Sequence, residues 1–129
     1  MKEESANLLT RALQTIETAE KIFQGGDYNS ATNRVYYAMF YTAKALLIQK
    51  DLRRFTKHRA VQSAFGEYFS KTNILDPKYH RWLIDAFDSR LQGDYGDYSV
   101  TSDGVSVMLQ QAREFLEAAR QYLSKACEG

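Results

Sequence analysis

With 129 residues, the chain is long enough for one domain with a self-sufficient core, expected to span residues 1–129, and its 17 basic and 16 acidic side chains almost cancel. No overall field therefore recommends nucleic acid or an anionic membrane as a partner, although a local basic cleft stays open. No apolar stretch approaches the roughly twenty residues of a membrane helix, and Met1-Lys2-Glu3-Glu4-Ser5 leads into a mixed polar pattern, so a cytoplasmic protein is expected. A single cysteine, Cys127, excludes an intrachain disulfide and a four-cysteine zinc site; with two histidines far apart in sequence, neither metal nor cofactor is expected.

From about Glu4 to Phe23, Leu8, Ala12, Ile16, Ala19 and Phe23 keep a helical period, and Gly25-Gly26 ends it. Asp27 can cap a second helix over about Tyr28 to Gln49. This is the stretch around which the others are organised. Ala31, Val35, Ala38 or Met39, Thr42 and Leu46 recur at three- and four-residue steps, while Tyr36, Tyr37, Phe40 and Tyr41 widen the apolar face over most of the circumference. Such a helix wants neighbours on several sides. After a short basic connection, Thr56 is the expected cap of a third helix carrying Val61, Phe65, Tyr68 and Phe69 and ending near Lys71. Asp76-Pro77 starts a fourth, which presents Leu83, Ala86 or Phe87, and Arg90.

Gly93-Asp94-Tyr95-Gly96-Asp97-Tyr98-Ser99 interrupts the pattern, and at least one of its rings is expected to fold back onto the helices. Thr101 or Ser102 then starts a last helix whose period runs through Val105, Ala112, Phe115 or Leu116 and Ala119 almost to Cys127. The fold predicted from these stripes is all-α: an antiparallel, up-and-down bundle of four or five helices.

Arg53, Arg54, Lys57, His58 and Arg59 lie within seven residues at the expected start of the third helix, where orphan N–H groups and the helix dipole would add to their charge on a phosphate. The same residues would also suit a solvated turn. His58 titrates near neutrality and could take a proton from a ribose hydroxyl, or serve as a cap or packing residue. Arg90 and Asp94 are four apart and could bridge one another, fixing the loop. Alternatively, Arg34 and Arg90 meet if their helices are adjacent and oppositely directed, and Arg90 then holds a phosphate oriented by a tyrosine hydroxyl. Tyr36 and Tyr37 could stack bases, but consecutive helical positions diverge by about 100°, so one flat platform cannot use both. Packing is the simpler role for them.

The ordered set Arg34-Val35-Tyr36-Tyr37-Ala38-Met39-Phe40, Ala43-Lys44-Ala45-Leu46-Leu47, Lys57-His58, Phe65 and Arg90-Leu91-Gln92-Gly93-Asp94-Tyr95 resembles the small prokaryotic HEPN-domain proteins over nearly the whole chain. The resemblance implies a four- or five-helix bundle that forms a homodimer, and a toxin–antitoxin pairing with a minimal nucleotidyltransferase as antitoxin. Active HEPN toxins are metal-independent endoribonucleases with an Arg-x4–6-His motif duplicated across a dimer cleft. Their histidine assists attack of a ribose 2′ oxygen on the adjacent phosphate, and their arginine stabilises the phosphoryl charge.

The matching arginine here is Arg90, but five residues later stands Tyr95, which with an ordinary pKa near 10 is a poor base at neutral pH. Arg53 and His58 also satisfy the bare spacing, in an earlier loop. In the family the antitoxin can transfer nucleotidyl groups to a tyrosine two residues past the histidine; that position is Asp97 here, between Tyr95 and Tyr98. The expected function is that of a HEPN toxin–antitoxin component acting on RNA, with Arg90, His58 and Tyr95 as candidate catalytic residues and Arg34, Tyr36, Tyr37, Arg53, Lys57 and Asp94 as candidate substrate contacts. The alternative is a non-catalytic nucleotide- or substrate-binding subunit of a minimal nucleotidyltransferase.

Overall fold

A computed structural model describes residues 1–95 and 100–128, with side chains at all of these except 94, 95, 127 and 128. Helices α1 (Glu3–Gln24), α2 (Tyr28–Gln49), α3 (His58–Phe65), α4 (Lys78–Tyr95) and α5 (Ser102–Glu128) carry the chain, and no strand occurs among the described residues. The all-α bundle is as predicted, and the ends of α1 and α2 fall within a residue of where the pattern put them.

The α1–α2 turn shows why. Asp27 N–H bonds back to the Ile22 carbonyl at 3.3 Å and Gly26 N–H to that of Phe23 at 3.0 Å, with Gly26 at φ 89°. This left-handed C-terminal turn needs a residue without Cβ at Gly26. Asp27 then starts the next helix by accepting from Ser30 N–H (3.1 Å) and Ser30 Oγ (2.7 Å).

Four further contacts place the long helices against one another. Ser5 Oγ donates to the Ala45 carbonyl at 2.9 Å, so the start of α1 lies beside the end of α2. Arg113 reaches Glu20 at 3.1 Å, which sets α5 against α1. Tyr36 and Phe87 meet at 5.3 Å while Asn29 lies near Gly93, so α2 and α4 also run oppositely. The α1–α2 pair is the most extensive in the molecule. Ser5, Ala12 and Ala19 on α1 and Ala31, Ala38 and Ala45 on α2 are all fully buried at seven-residue spacing, and small side chains let the two backbones approach closely.

Helix α2 packs against α1, α3, α4 and α5 and buries Val35, Tyr36, Met39, Leu46 and Leu47 completely. It is the central member that its broad apolar face requires.

The third helix departs from expectation at both ends. Lys57, not Thr56, occupies the N-cap position, in extended conformation and with no side-chain cap bond. Regular α-helix stops at Phe65 and a π-helical turn, Gly66–Ser70, follows, closed by Lys71 N–H to the Gly66 carbonyl at 2.9 Å. A side chain from α4 packs against this turn. His80 Nε2 bonds to the Gln62 carbonyl at 3.1 Å, an acceptor that Gly66 N–H also uses, and its ring lies where a Cβ on Gly66 would stand 2.7 Å away. At the other starts, Asp76 accepts from Lys78 N–H (2.9 Å) and Thr101 Oγ1 from Gly104 N–H (3.0 Å). Helix α4 does not break at Gly93 as expected but runs on through Tyr95, and the rings of Tyr95 and Tyr98, one of which was expected to fold back, lie outside what the structure describes.

Candidate active site

Three helices converge on one imidazole. His58 is the first residue of α3, and its ring is surrounded by Phe40 (4.7 Å between centroids), Tyr36 (5.5 Å) and Tyr37 (5.6 Å) from α2 and by Phe87 (6.0 Å) from α4. Its Nδ1 lies 2.7 Å from the Tyr36 hydroxyl, which also accepts from Gln62 Nε2 at 3.1 Å. Gln62 sits one turn beyond His58 on α3, so a single helix supplies both groups that meet the tyrosine.

Tyr36 is wholly buried. Burial pushes its phenol up to about 12, against the opposing pull of the Gln62 bond and the Arg90 charge. It remains a protonated hydrogen-bonding group throughout the neutral range and never a phenolate base. With no face open, its ring packs and its oxygen positions His58; it does not stack a base. For His58, partial burial and then the nearby Arg90 charge lower the pKa below the usual histidine value. The ring is therefore neutral at pH 7.

Tyr36 keeps its proton and accepts from Gln62, so its O–H can donate to Nδ1 of His58, which leaves the neutral imidazole protonated on Nε2; the other tautomer, protonated on Nδ1, instead leaves Nε2 with a lone pair. That is the form able to accept a proton.

The guanidinium of Arg90, on α4, lies 5.3 Å from the Tyr37 ring centroid, 5.6 Å from that of Tyr36 and 6.0 Å from that of Phe87. Arg34 stands 4.8 Å from the same Tyr37 ring. The condition for their meeting, adjacent and oppositely directed α2 and α4, is thus met, with half-buried Tyr37 as the surface they share. The Tyr37 ring attracts each cation.

Other candidate residues fall elsewhere. Arg53 is salt-bridged to Glu4 and lies 3.8 Å from Asp51, where α1 begins and α2 ends, and neither partner belongs to this cluster. Lys57 is exposed at the head of α3, next to His58. The side chains of Asp94 and Tyr95, with the bond expected between Arg90 and Asp94, lie outside the described residues. Gln62 was not legible as a site residue, because a glutamine inside a helix reads as a solvent-facing position. Phe87 fits the core pattern and is buried, but it also joins His58 to Arg90. Only its place on α4 opposite Tyr36 could have suggested that.

The HEPN domain family matches residues 5–122, and the chain belongs to that family. Similar proteins include one from Methanocaldococcus jannaschii named "Putative toxin MJ0142", 31% identical over 95% of this chain and 83% of its own length. A UPF0332 protein of Gloeobacter violaceus, glr0978, is 31% identical over 97% of this chain and the whole of its own, and a UPF0332 protein of Thermotoga maritima is 32% identical over 88% and 86%.

Proposed function

We propose that this HEPN-family chain is the toxin-type component of a toxin–antitoxin pair and a metal-independent endoribonuclease, acting in the cytoplasm as a homodimer whose cleft presents two copies of the site. The carrying observation is His58, held at 2.7 Å by a buried tyrosine hydroxyl, beside an arginine that shares its aromatic surroundings. In this reading His58, in the tautomer protonated on Nδ1, takes the 2′-hydroxyl proton on Nε2 as the 2′ oxygen bonds to phosphorus. The bond from phosphorus to the 5′ oxygen breaks, and the leaving oxygen takes a proton from water. Charge gathering on the phosphoryl oxygens is met by Arg90, with Arg34 as the second cation. His58 thus takes the place of the histidine that Tyr95 replaces in the late motif. The relatives whose names read "Putative toxin" support the setting.

Cleavage of defined single-stranded RNAs by purified protein in excess chelator tests the reading. Arg90→Ala and His58→Ala should each lower the rate by two orders of magnitude or more while the helical circular dichroism is kept. Unchanged cleavage by folded Arg90→Ala would remove the assignment.

The second reading, a non-catalytic nucleotide-binding subunit of a minimal nucleotidyltransferase antitoxin, is favoured by the Arg34–Arg90 pair, which can hold a phosphate without any base. Under it, His58→Ala keeps nucleotide affinity and the wild-type chain cleaves nothing.

A further inference from the structure

An open groove of about 720 Å³ lies between α3, the π-helical turn and α4. It adjoins the His58 site through two residues. Gln62 bonds Tyr36 with its side chain and His80 with its carbonyl. Arg59, next to His58 in the chain, lies 5.4 Å from the Phe87 ring centroid that Arg90 approaches to 6.0 Å. One ring therefore separates a cation of the groove from the cation of the site.

The groove's polar inventory is asymmetric. Arg59 and Lys71 supply positive charge, and Ser63 and Ser70 supply hydroxyls. A carbonyl only accepts, so His80 Nε2 carries the proton it gives to Gln62. Glu67 supplies an acceptor. Two cations and hydroxyls suit one phosphate, and the carboxylate suits the amino edge of a base or a ribose hydroxyl. The volume is in the range of pockets that take ligands of nucleotide size. The π turn, a distortion often found at functional sites, carries Ser70 and Lys71 to the groove.

We propose that this groove is a nucleotide subsite, holding the nucleotide that flanks the phosphate placed at His58 and Arg90 in a single RNA strand. It rests on the ribonuclease reading above, and it gives that enzyme a second point of grip, so that longer strands are better substrates than dinucleotides.

The test pairs binding with cleavage. A fluorescent 12-nucleotide 2′-O-methyl RNA, which lacks the attacking hydroxyl, is titrated against wild type, Lys71→Ala and Arg59→Ala/Lys71→Ala, all exposed positions whose folding is checked by circular dichroism. The double variant is expected to bind about tenfold more weakly or worse. It should lose a similar factor in kcat/KM on a cleavable 12-mer and little on a dinucleoside monophosphate, whose flanking nucleoside brings no second phosphate for Arg59 and Lys71 to hold. Equal affinity and equal 12-mer cleavage in wild type and double variant overturn the subsite while leaving the ribonuclease reading intact. A wild type that neither binds nor cleaves RNA overturns both. Adenosine monophosphate binding more tightly than the 12-mer, and lost in the double variant, assigns the groove to a free mononucleotide and overturns its place in an RNA strand.

Discussion

The Tyr36 hydroxyl is the single atom on which the site's chemistry turns, since it meets Gln62 and His58 at once and lies in the core. Replacing Tyr36 with Phe keeps the packing of the ring but strands the Gln62 amide and removes the partner of Nδ1. A buried donor left unpaired costs about 1–3 kcal/mol, which urea unfolding should show as a lower midpoint with an unchanged slope. Cleavage should suffer in kcat more than in KM, because the bound RNA loses nothing while the imidazole loses its orientation. The lowered pKa of His58 carries a second consequence. The folded chain resists the imidazolium form more than the unfolded chain does, so below about pH 6.5 the unfolded state binds the extra proton more readily. His58 therefore contributes stability that is present above that value and lost as pH falls through the folded pKa. Between pH 7.5 and 5.5, a window above the depressed carboxylates Glu4, Asp51 and Glu114, wild type should lose stability faster than His58→Gln. Parallel curves for the two chains would contradict this. The rate should fall over the same acid range, because a protonated ring cannot take the 2′ proton.

Among the elements, those whose boundaries are made by local chemistry were the readable ones. Asp27 capping α2, Gly26 in left-handed conformation and Asp76 ahead of α4 are each settled by residues within a few positions, and the pattern found them. The end of α3 was not of that kind. Nothing near Gly66 in the sequence announces that His80, fourteen residues on, will bond the carbonyl of Gln62 and press its ring against a glycine. The candidate site divides the same way: Arg34, Arg90 and His58 were legible from residue type and family pattern, but Gln62 and the groove on the far side of it exist only because α3 and α4 pack. Gly66→Ala probes that dependence. Its Cβ would lie 2.7 Å from His80 Nε2, so the ring must leave or the backbone must shift. Overpacking of this kind costs about 1–3 kcal/mol, in spite of the better helix propensity of alanine. Thermal unfolding should show the loss, whereas a variant as stable as wild type would mean that His80 does not hold the π turn.

For the whole molecule, a net charge of +1 has a kinetic and a thermodynamic meaning. The chain has no long-range field with which to draw an RNA strand from solution, so on the proposed ribonuclease reading affinity would come from cations that phosphates touch directly. Arg34 and Arg90 at the site and Arg59 and Lys71 in the groove are the four on the proposed track. For single strands each neutralised phosphate contributes about −0.7 to the slope of log K against log salt. Four contacts per strand therefore give a slope of about −3, shallow beside that of a strongly basic RNA binder. Each cation removed should flatten it by about 0.7, and Arg53→Ala should leave it unchanged, because that guanidinium is committed to Glu4 and Asp51. The measurement is anisotropy of the 2′-O-methyl 12-mer from 50 to 300 mM salt. A wild-type slope of about −6 or steeper would mean that strands are held by cations outside this cluster, and the one-strand path from Arg34 to Lys71 would have to be abandoned. A slope near −3 that loses half its value in Arg59→Ala/Lys71→Ala would instead tie site and groove into one continuous track along α3 and α4.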